Sequence, residues 1–413
     1  MTNNPGRKDF DILIAGGGMV GAMAALALAG KGLRIALLDG VGFHPDRVPN
    51  VQAGLHFDSR VSAIAPASRR QFETLGCWTT MTSLRVSPYT DMHVWDADGT
   101  GQIHFAAADI HANELGHIIE NSVILQGLYA QLARATDVSV IVPAFVESLQ
   151  QQESGMDTWT TVITESGEKY SCHLLLGADG GNSRIRELAG IRVREWDYEQ
   201  QAIVTTVRTE LGHQATAWQR FISTGPLAFL PLLPATGSDD QHYCSIVWSA
   251  VPDCAESLMG LSDVEFSRTL QHAIENRFGR IEWVDRRSAF PLRQRHALDY
   301  VKDGIALLGD AAHTIHPLAG QGVNLGLADV QVLAEEICSN LQRGRPVNDP
   351  IMLQRYQRRR LGHNLGTMWM MEGFKRLFAQ QSLPLRWIRN AGMRGVDNSS
   401  LIKNRLIRQA TGY

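Results

Sequence analysis

Apolar and polar positions follow two regimes along the chain. Residues 10–15 form an apolar run broken only by Asp11, an alanine-rich stretch reads as helix to about Lys31, and residues 33–38 return as a second strand ending at Asp39. The same strand-loop-helix order recurs at 305–308 followed by a glycine-rich loop and an apolar-periodic helix over 323–341. A third instance follows 172–176, which pairs as a hairpin with 159–164 and runs into a loop at 177–184. Elsewhere, runs at 202–208, 217–222, 228–232 and 244–248 follow one another with no helix between them, the pattern of a mostly antiparallel sheet. Residues 92–95 and 102–105 predict two more paired strands with Asp98 and Gly99 in the turn, and 138–142 another. Helices are predicted over 66–75, 121–134 and 262–278, and the end of the chain is helical.

The three junctions hold the chemistry. Gly16-Gly17-Gly18-Met19-Val20-Gly21 is a G-x-G-x-x-G with a strand before it and a helix after it. Its glycines permit a tight turn, close approach to a pyrophosphate and close helix-on-strand packing, and Asp39, about 20 residues on, is placed for ribose hydroxyls. The pattern predicts dinucleotide binding. In the late junction Asp310 directly follows a strand and can accept from sugar-like hydroxyls. Pro317, Gly320 and Gly322 then form a loop without bulk, so backbone N–H groups and a helix start can face an electron-rich group such as the pyrimidine ring of a reduced flavin. A phosphate-binding Gly-Lys-Ser/Thr is absent there. The middle junction has Asp179-Gly180, with Arg184 and Arg186 just beyond. Arg60 is a candidate for the pyrophosphate or flavin edge, and Asn121 has the chemistry of a helix cap. His313 and His316 read as loop-packing side chains without carboxylate partners. Phe221, Phe229, Pro231, Trp248 and Pro291 are candidates to line a pocket for a flat ligand, core packing being the alternative for the aromatics.

Composition narrows the class. At 413 residues, with 44% hydrophobic and 20% charged residues, the chain predicts a folded protein of several subdomains. It has no apolar run of membrane-spanning length, and the polar start lacks a secretory signal, so a cytoplasmic protein is expected. Five cysteines without a CxxC pair predict neither a zinc site nor a disulfide framework. Residues 351–413 are the exception to an overall charge of −3: they hold 12 Lys and Arg against Glu372 and Asp397. That imbalance predicts a surface for a membrane or a protein partner at the inner face of the membrane, and no nucleic acid is expected.

With these motifs the chain resembles the flavoprotein aromatic hydroxylases of the para-hydroxybenzoate hydroxylase type. Their marks are an N-terminal GxGxxG, a central DG and a late GD, matched by Gly16 to Gly21, Asp179-Gly180 and Gly309-Asp310. GGGMVG, RVSAI, ENSV, GADGGNSRIR, AFLPL, FPL and above all GDAAHTIHPLAGQGVNLG are similar to the ubiquinone-biosynthesis hydroxylases. SPYTDMHVW, WQRF and RHALDYV resemble the branch acting on a 2-octaprenyl-3-methyl-6-methoxy-1,4-benzoquinol. The resemblance implies an α/β (α+β) fold: a Rossmann-like FAD-binding domain in three parts (1–80, 116–190, 296–345), interleaved with a mostly antiparallel-sheet substrate domain (81–115, 191–295) and followed by a basic helical region (346–413). It implies FAD as cofactor, O2 as co-substrate and NAD(P)H or a protein reductase as electron donor. The chemistry implied is hydroxylation of a polyprenylated phenol or quinol through a flavin C4a-hydroperoxide, with no catalytic side chain and no metal. By position, Gly16, Gly18, Met19, Val20 and Gly21 would meet the pyrophosphate and Asp39 the adenosine ribose. Arg60, Asn121 and Asp310 would follow the ribityl and phosphate side, Asp179 would support FAD and NAD(P)H, and Gly320, Gly322, Val323 and Asn324 would lie beneath the isoalloxazine. The alternatives are a hydroxylase of another small aromatic compound and a non-catalytic FAD-bearing subunit of a quinone-biosynthesis complex.

Overall fold

A computed structural model describes residues 7–42, 56–97, 99–154, 157–315, 322–379 and 383–412. Strand Arg7–Ala15 lies between Ile35–Leu38 and Lys169–Gly177, both parallel to it. Val138–Ile141 extends the sheet on one side and Ile305–Leu307 on the other, again in parallel. Ile12, Leu13, Ile14, Leu174, Leu175 and Leu176 are fully buried, as strands covered on both faces require. The predicted hairpin is present: Asp157–Thr164 pairs antiparallel with Lys169–Gly177, and Val146–Ser154 adds a strand that its polar sequence did not announce. This order sets the ends of three strands next to each other, so the three junctions open on one edge of the sheet. Helix Met19–Leu28 is buried on nearly all sides, which its alanines make possible. It ends before the expected Lys31 because Ala29 turns extended and the Gly30 N–H is taken by Asp137 at 2.6 Å.

The second sheet is mostly antiparallel, as predicted. Among the described residues its order runs His313–Thr314, Ser288–Ala297, Val193–Thr209, Tyr243–Ala250, Gly225–Leu232, Thr216–Ile222, Asp91–Asp96, Gln102–Ala106, with one parallel neighbour pair, Thr216–Ile222 on Asp91–Asp96. One face packs Phe229, Ile246 and Trp248 on helices Pro252–Gly260 and Asp263–Ala273. The second of these starts at a Ser262–Glu265 capping box. The opposite face sets Ala217, Ala228 and Leu230 against Phe57, Ala63 and Ile118. Ala63 and Ile118 belong to a small antiparallel sheet of Val61–Ile64, Gly116–Glu120 and Ser87–Tyr89, which links the two large ones. Beside it, a buried pair joins Arg85 to Glu120 at 2.5 Å, with Arg85 also over the Phe57 ring.

Helices Pro350–Ala379, Leu383–Asp397 and Ser400–Thr411 close the chain. Asn390 accepts the Gly101 N–H at 2.5 Å, Lys403 pairs with Asp109 at 2.9 Å, and Arg70 donates to the Gly412 carbonyl. No helix among the described residues is long and apolar enough to cross a membrane. Mixed α/β architecture with parallel and antiparallel sheets and C-terminal helices is therefore the fold, as the sequence pattern predicts.

Candidate functional site

The first junction is shaped by glycines that have no room for a side chain. At Gly16, φ is +104° and an added Cβ would run into the Ala178 carbonyl of the middle junction; at Gly21 it would run into the Gly16 carbonyl. Gly18 differs, since a Cβ there meets nothing within 4 Å. It is the N-cap of helix Met19–Leu28, with no side-chain cap and no acidic residue in the first turn. Unsatisfied helix amides thus open onto free space, a cradle that fits a diphosphate. Asp39 organises this turn: Oδ2 accepts the Gly17 N–H at 2.6 Å and Oδ1 those of Val41 and Gly42 at 2.9 and 2.6 Å. A lone pair remains on Oδ2 for a hydroxyl donor.

The other two junctions are stitched to the first and to each other. Ala178 N–H bonds to Ala15 at 2.8 Å and Leu308 N–H to Gly177 at 2.9 Å. Arg186, which is buried, donates to the Ala311 and Gly181 carbonyls at 2.8 and 2.9 Å. Asp179 turns its carboxylate into its own helix, accepting from the Ser183 hydroxyl (2.5 Å) and from the N–H groups of Arg184 and Ile185 (2.7 and 3.0 Å). Its carboxylate thus braces the loop that carries Gly180. Asp310 lies in a recess, open to solvent yet enclosed by protein, and desolvation raises its pKa while the nearby His313 and Arg60 act in the opposite direction. Arg60 is exposed and sits over the Phe290 ring at 5.8 Å.

Several predicted residues are engaged differently from expectation. Asn121 is the first helical residue rather than the cap; its Oδ1 accepts the Ser62 hydroxyl at 2.7 Å, and Asp58 caps the helix through the Ser122 N–H at 3.1 Å. Asn324 spans to the strand Val61–Ile64, accepting from Ala65 N–H at 3.0 Å and donating to the Ala63 carbonyl at 2.7 Å. Gly322 and Val323 are half-buried at the start of helix Gly322–Gln342, whereas Gly320, Pro317 and His316 lie outside the described residues. His313 does have a carboxylate partner, contrary to its reading as a packing residue: Asp329 accepts its Nε2–H at 2.6 Å. That partner is 16 residues away in a helix, beyond what loop sequence reveals.

The pocket candidates separate by sheet face. Phe229 and Trp248 belong to the core under the two helices, and Pro231 shares the Phe229 face, opposite the sheet face that meets Ala63. This corrects their assignment as pocket lining. Phe221 shares the phase of Ala217 and Gln219, and Pro291 is exposed. An apolar cavity of ≈ 10 Å³ lies on that inner face between Ala63, Ile118, Met92, Ala217, Ala228 and Leu230. Gly326 was overlooked; an added Cβ there would be 2.7 Å from Val20 and 3.1 Å from the Gly309 Cα, so the first and last junctions touch through it. Asp329 and Arg360 were also overlooked, although each is a charge on the buried side of its helix.

The model of the family described as FAD binding domain matches residues 9–366. The chain is 34% identical over 412 residues to the 3-demethoxyubiquinol 3-hydroxylase of Escherichia coli (strain K12), covering 100% of both. Over 405 residues it is 33% identical to the ubiquinone hydroxylase UbiL of Rhodospirillum rubrum, covering 98% of this chain and 90% of the relative. Among solved structures, the p-nitrophenol 4-monooxygenase PnpA of Pseudomonas putida DLL-E4 superposes with a TM-score of 0.76 at 16% identity, over 98% of this chain and 99% of the other, which shows the shared fold. With the glycine cradle, the open face at Gly18 and the recess at Asp310, these likenesses establish that the chain belongs to the FAD-binding-domain family of flavoprotein monooxygenases, beside its ubiquinone-biosynthesis hydroxylases.

Proposed function

We propose that the protein hydroxylates the aromatic ring of a polyprenylated phenol or quinol in ubiquinone biosynthesis. The observation that carries this reading is full-length similarity to relatives named as ubiquinone hydroxylases, on a chain whose three junctions converge around the open face of Gly18. In this reading Gly16, Gly18, Met19, Val20 and Gly21 hold the FAD pyrophosphate, Asp39 the ribose, and Arg60 and Asp310 the ribityl and phosphate side. The start of helix Gly322–Gln342 faces the flavin ring, where its positive end favours the charge of the reduced form. Bound FAD supplies the redox and oxygen chemistry. The chain orients the ring and excludes water, a task suited to the inner sheet face of Ala217, Ala228 and Leu230 with Met92 and Ile118.

The sequence has no second G-x-G-x-x-G for a standing nicotinamide domain, so the electron donor in this reading is NAD(P)H docking transiently or a protein reductase. The test is anaerobic flavin reduction by NADPH and NADH, then oxygenation with a prenylated methoxy-benzoquinol and mass spectrometry of the extract. A product one oxygen atom heavier is expected. Peroxide alone with the prenylated ring, but hydroxylation of an unprenylated phenol, would reject the substrate class.

The C-terminal helices are the proposed route to a bilayer-dissolved substrate. Trp369 is 67% exposed, Leu401 85% and Ile402 50%, in a segment rich in Lys and Arg with Arg394, Arg405 and Arg408 exposed. Basic residues near anionic lipid contribute about 1 kcal/mol each, and the apolar side chains add burial. Co-sedimentation with anionic liposomes at low salt should be strong for the intact chain and weak when Arg386, Arg389 and Arg394 are changed to Glu. Negligible binding by both would leave a protein complex as the delivery route.

A further inference from the structure

Behind the Gly309–Ala311 turn a charged cluster sits inside the protein. Asp329 is 0% exposed, and its carboxylate meets four donors: the Gly309 N–H at 3.0 Å and His313 Nε2 at 2.6 Å on Oδ2, Arg360 Nε at 2.6 Å and Asn364 Nδ2 at 3.2 Å on Oδ1. Arg360 also donates to the Leu325 carbonyl at 3.2 Å and to Asn364 Oδ1 at 2.7 Å. Asn364 reaches the Tyr300 hydroxyl at 3.2 Å, which lies 3.3 Å from His296 Nε2. Loop residues 309–313, helix Gly322–Gln342 and helix Pro350–Ala379 therefore close on one carboxylate.

Cohesion alone does not call for such a cluster, because replacing a buried ion pair by well-packed apolar groups is often neutral or stabilising. What four donors add is direction. They fix the N–H of Gly309, whose φ is +56°, immediately before Asp310. They also fix the rotation of helix Gly322–Gln342, whose first turn holds Gly322 and Val323.

We propose that Asp329, held by His313, Arg360 and Asn364, is a positioning residue for bound FAD: it sets the Asp310 recess and the helix start as one edge against the flavin and ties that edge to helix Pro350–Ala379. This rests on the FAD placement given above. Losing one donor tilts the edge without emptying the site.

His313→Leu removes one donor of the four and leaves Arg360 to balance the carboxylate, while His313→Gln returns an N–H donor. On the holoprotein, the readouts are the Kd for FAD, the thermal midpoint and the visible circular dichroism of the bound flavin, which responds to the asymmetry of its surroundings. His313→Leu should bind FAD about tenfold more weakly, in keeping with one charge-assisted hydrogen bond, and change the flavin band; His313→Gln should restore both. Wild-type affinity and dichroism in His313→Leu would overturn the proposal. So would equal losses in the two variants that track the thermal midpoint alone, since that is a structural role only. If His313→Leu does not accumulate folded, Asn364→Ala, acting on the opposite oxygen, is judged by the same criteria. Full FAD affinity in Gly18→Val would instead remove the FAD placement, an outcome independent of these variants.

Discussion

Two residues test the site directly, and they differ in what surrounds them. Gly18 has open space where a side chain would go, so Gly18→Val should fold with a near-normal thermal midpoint as apoprotein yet fail to retain FAD. Yellow protein with full flavin content would refute the placement of the pyrophosphate. Asp310→Ala removes an acceptor in a recess rather than a core side chain. A hydrogen bond of that kind contributes about 0.5–1.5 kcal/mol net, so a several-fold rise in the FAD dissociation constant is expected, read by fluorescence titration. Unchanged affinity would place the ribityl chain elsewhere. At this scale the sequence was most legible where backbone geometry is the function: Gly16 and Gly21 lie where only glycine fits. It was least legible for Asp39, Asp179 and Asn324, whose partners are backbone groups, and for Asn121, which accepts the Ser62 hydroxyl, because these partners lie far along the chain or across a turn that no motif spacing encodes.

Among the elements, apolar runs located the strands well, but period-two alternation does not say which face meets which neighbour. Phe229 and Ala228 are adjacent in one strand and pack into different cores. Phe229 is 0% exposed and stacks on Phe278 with ring centroids 4.8 Å apart. Phe229→Ala should therefore cost about 3–5 kcal/mol of stability, read from the denaturant midpoint, while FAD affinity in native buffer stays as in the parent protein. A loss of FAD binding without a loss of stability would return Phe229 to the pocket. Strands rich in polar residues escaped the pattern: residues 193–201 of Val193–Thr209 carry Arg194, Glu195, Asp197, Glu199, Gln200 and Gln201 and form a largely exposed ribbon with Ser288–Ala297. The helix Trp78–Leu84 was also missed, having only Met81 buried to mark its inner face.

Taken whole, the molecule buries neutral histidines in several layers. Burial lowers the pKa of His117 to about 3 and those of His213 and His296 to about 4. Above about pH 6.5 these imidazoles are neutral in both folded and unfolded chains; below it the unfolded chain takes up protons first, so stability falls with pH until the folded pKa values are reached. Each site contributes up to about 1.4 kcal/mol per pH unit in that window. The thermal midpoint should decline steeply between pH 6.5 and 4.5, and a level profile there would contradict the burial of these rings as neutral species.

The position of Arg7–Ala15 also bears on how the chain is made. The strand that begins the dinucleotide motif pairs on one side with Ile35–Leu38, close by in the sequence, but on the other with Lys169–Gly177, whose own parallel neighbour is Ile305–Leu307. Its second sheet neighbour thus arrives only once the chain has reached Lys169–Gly177, and such long-range parallel pairing is slow to form. Until then one edge of this apolar strand has no partner, so the glycine turn at its end is completed late, when Lys169–Gly177 and then Ile305–Leu307 have joined the sheet.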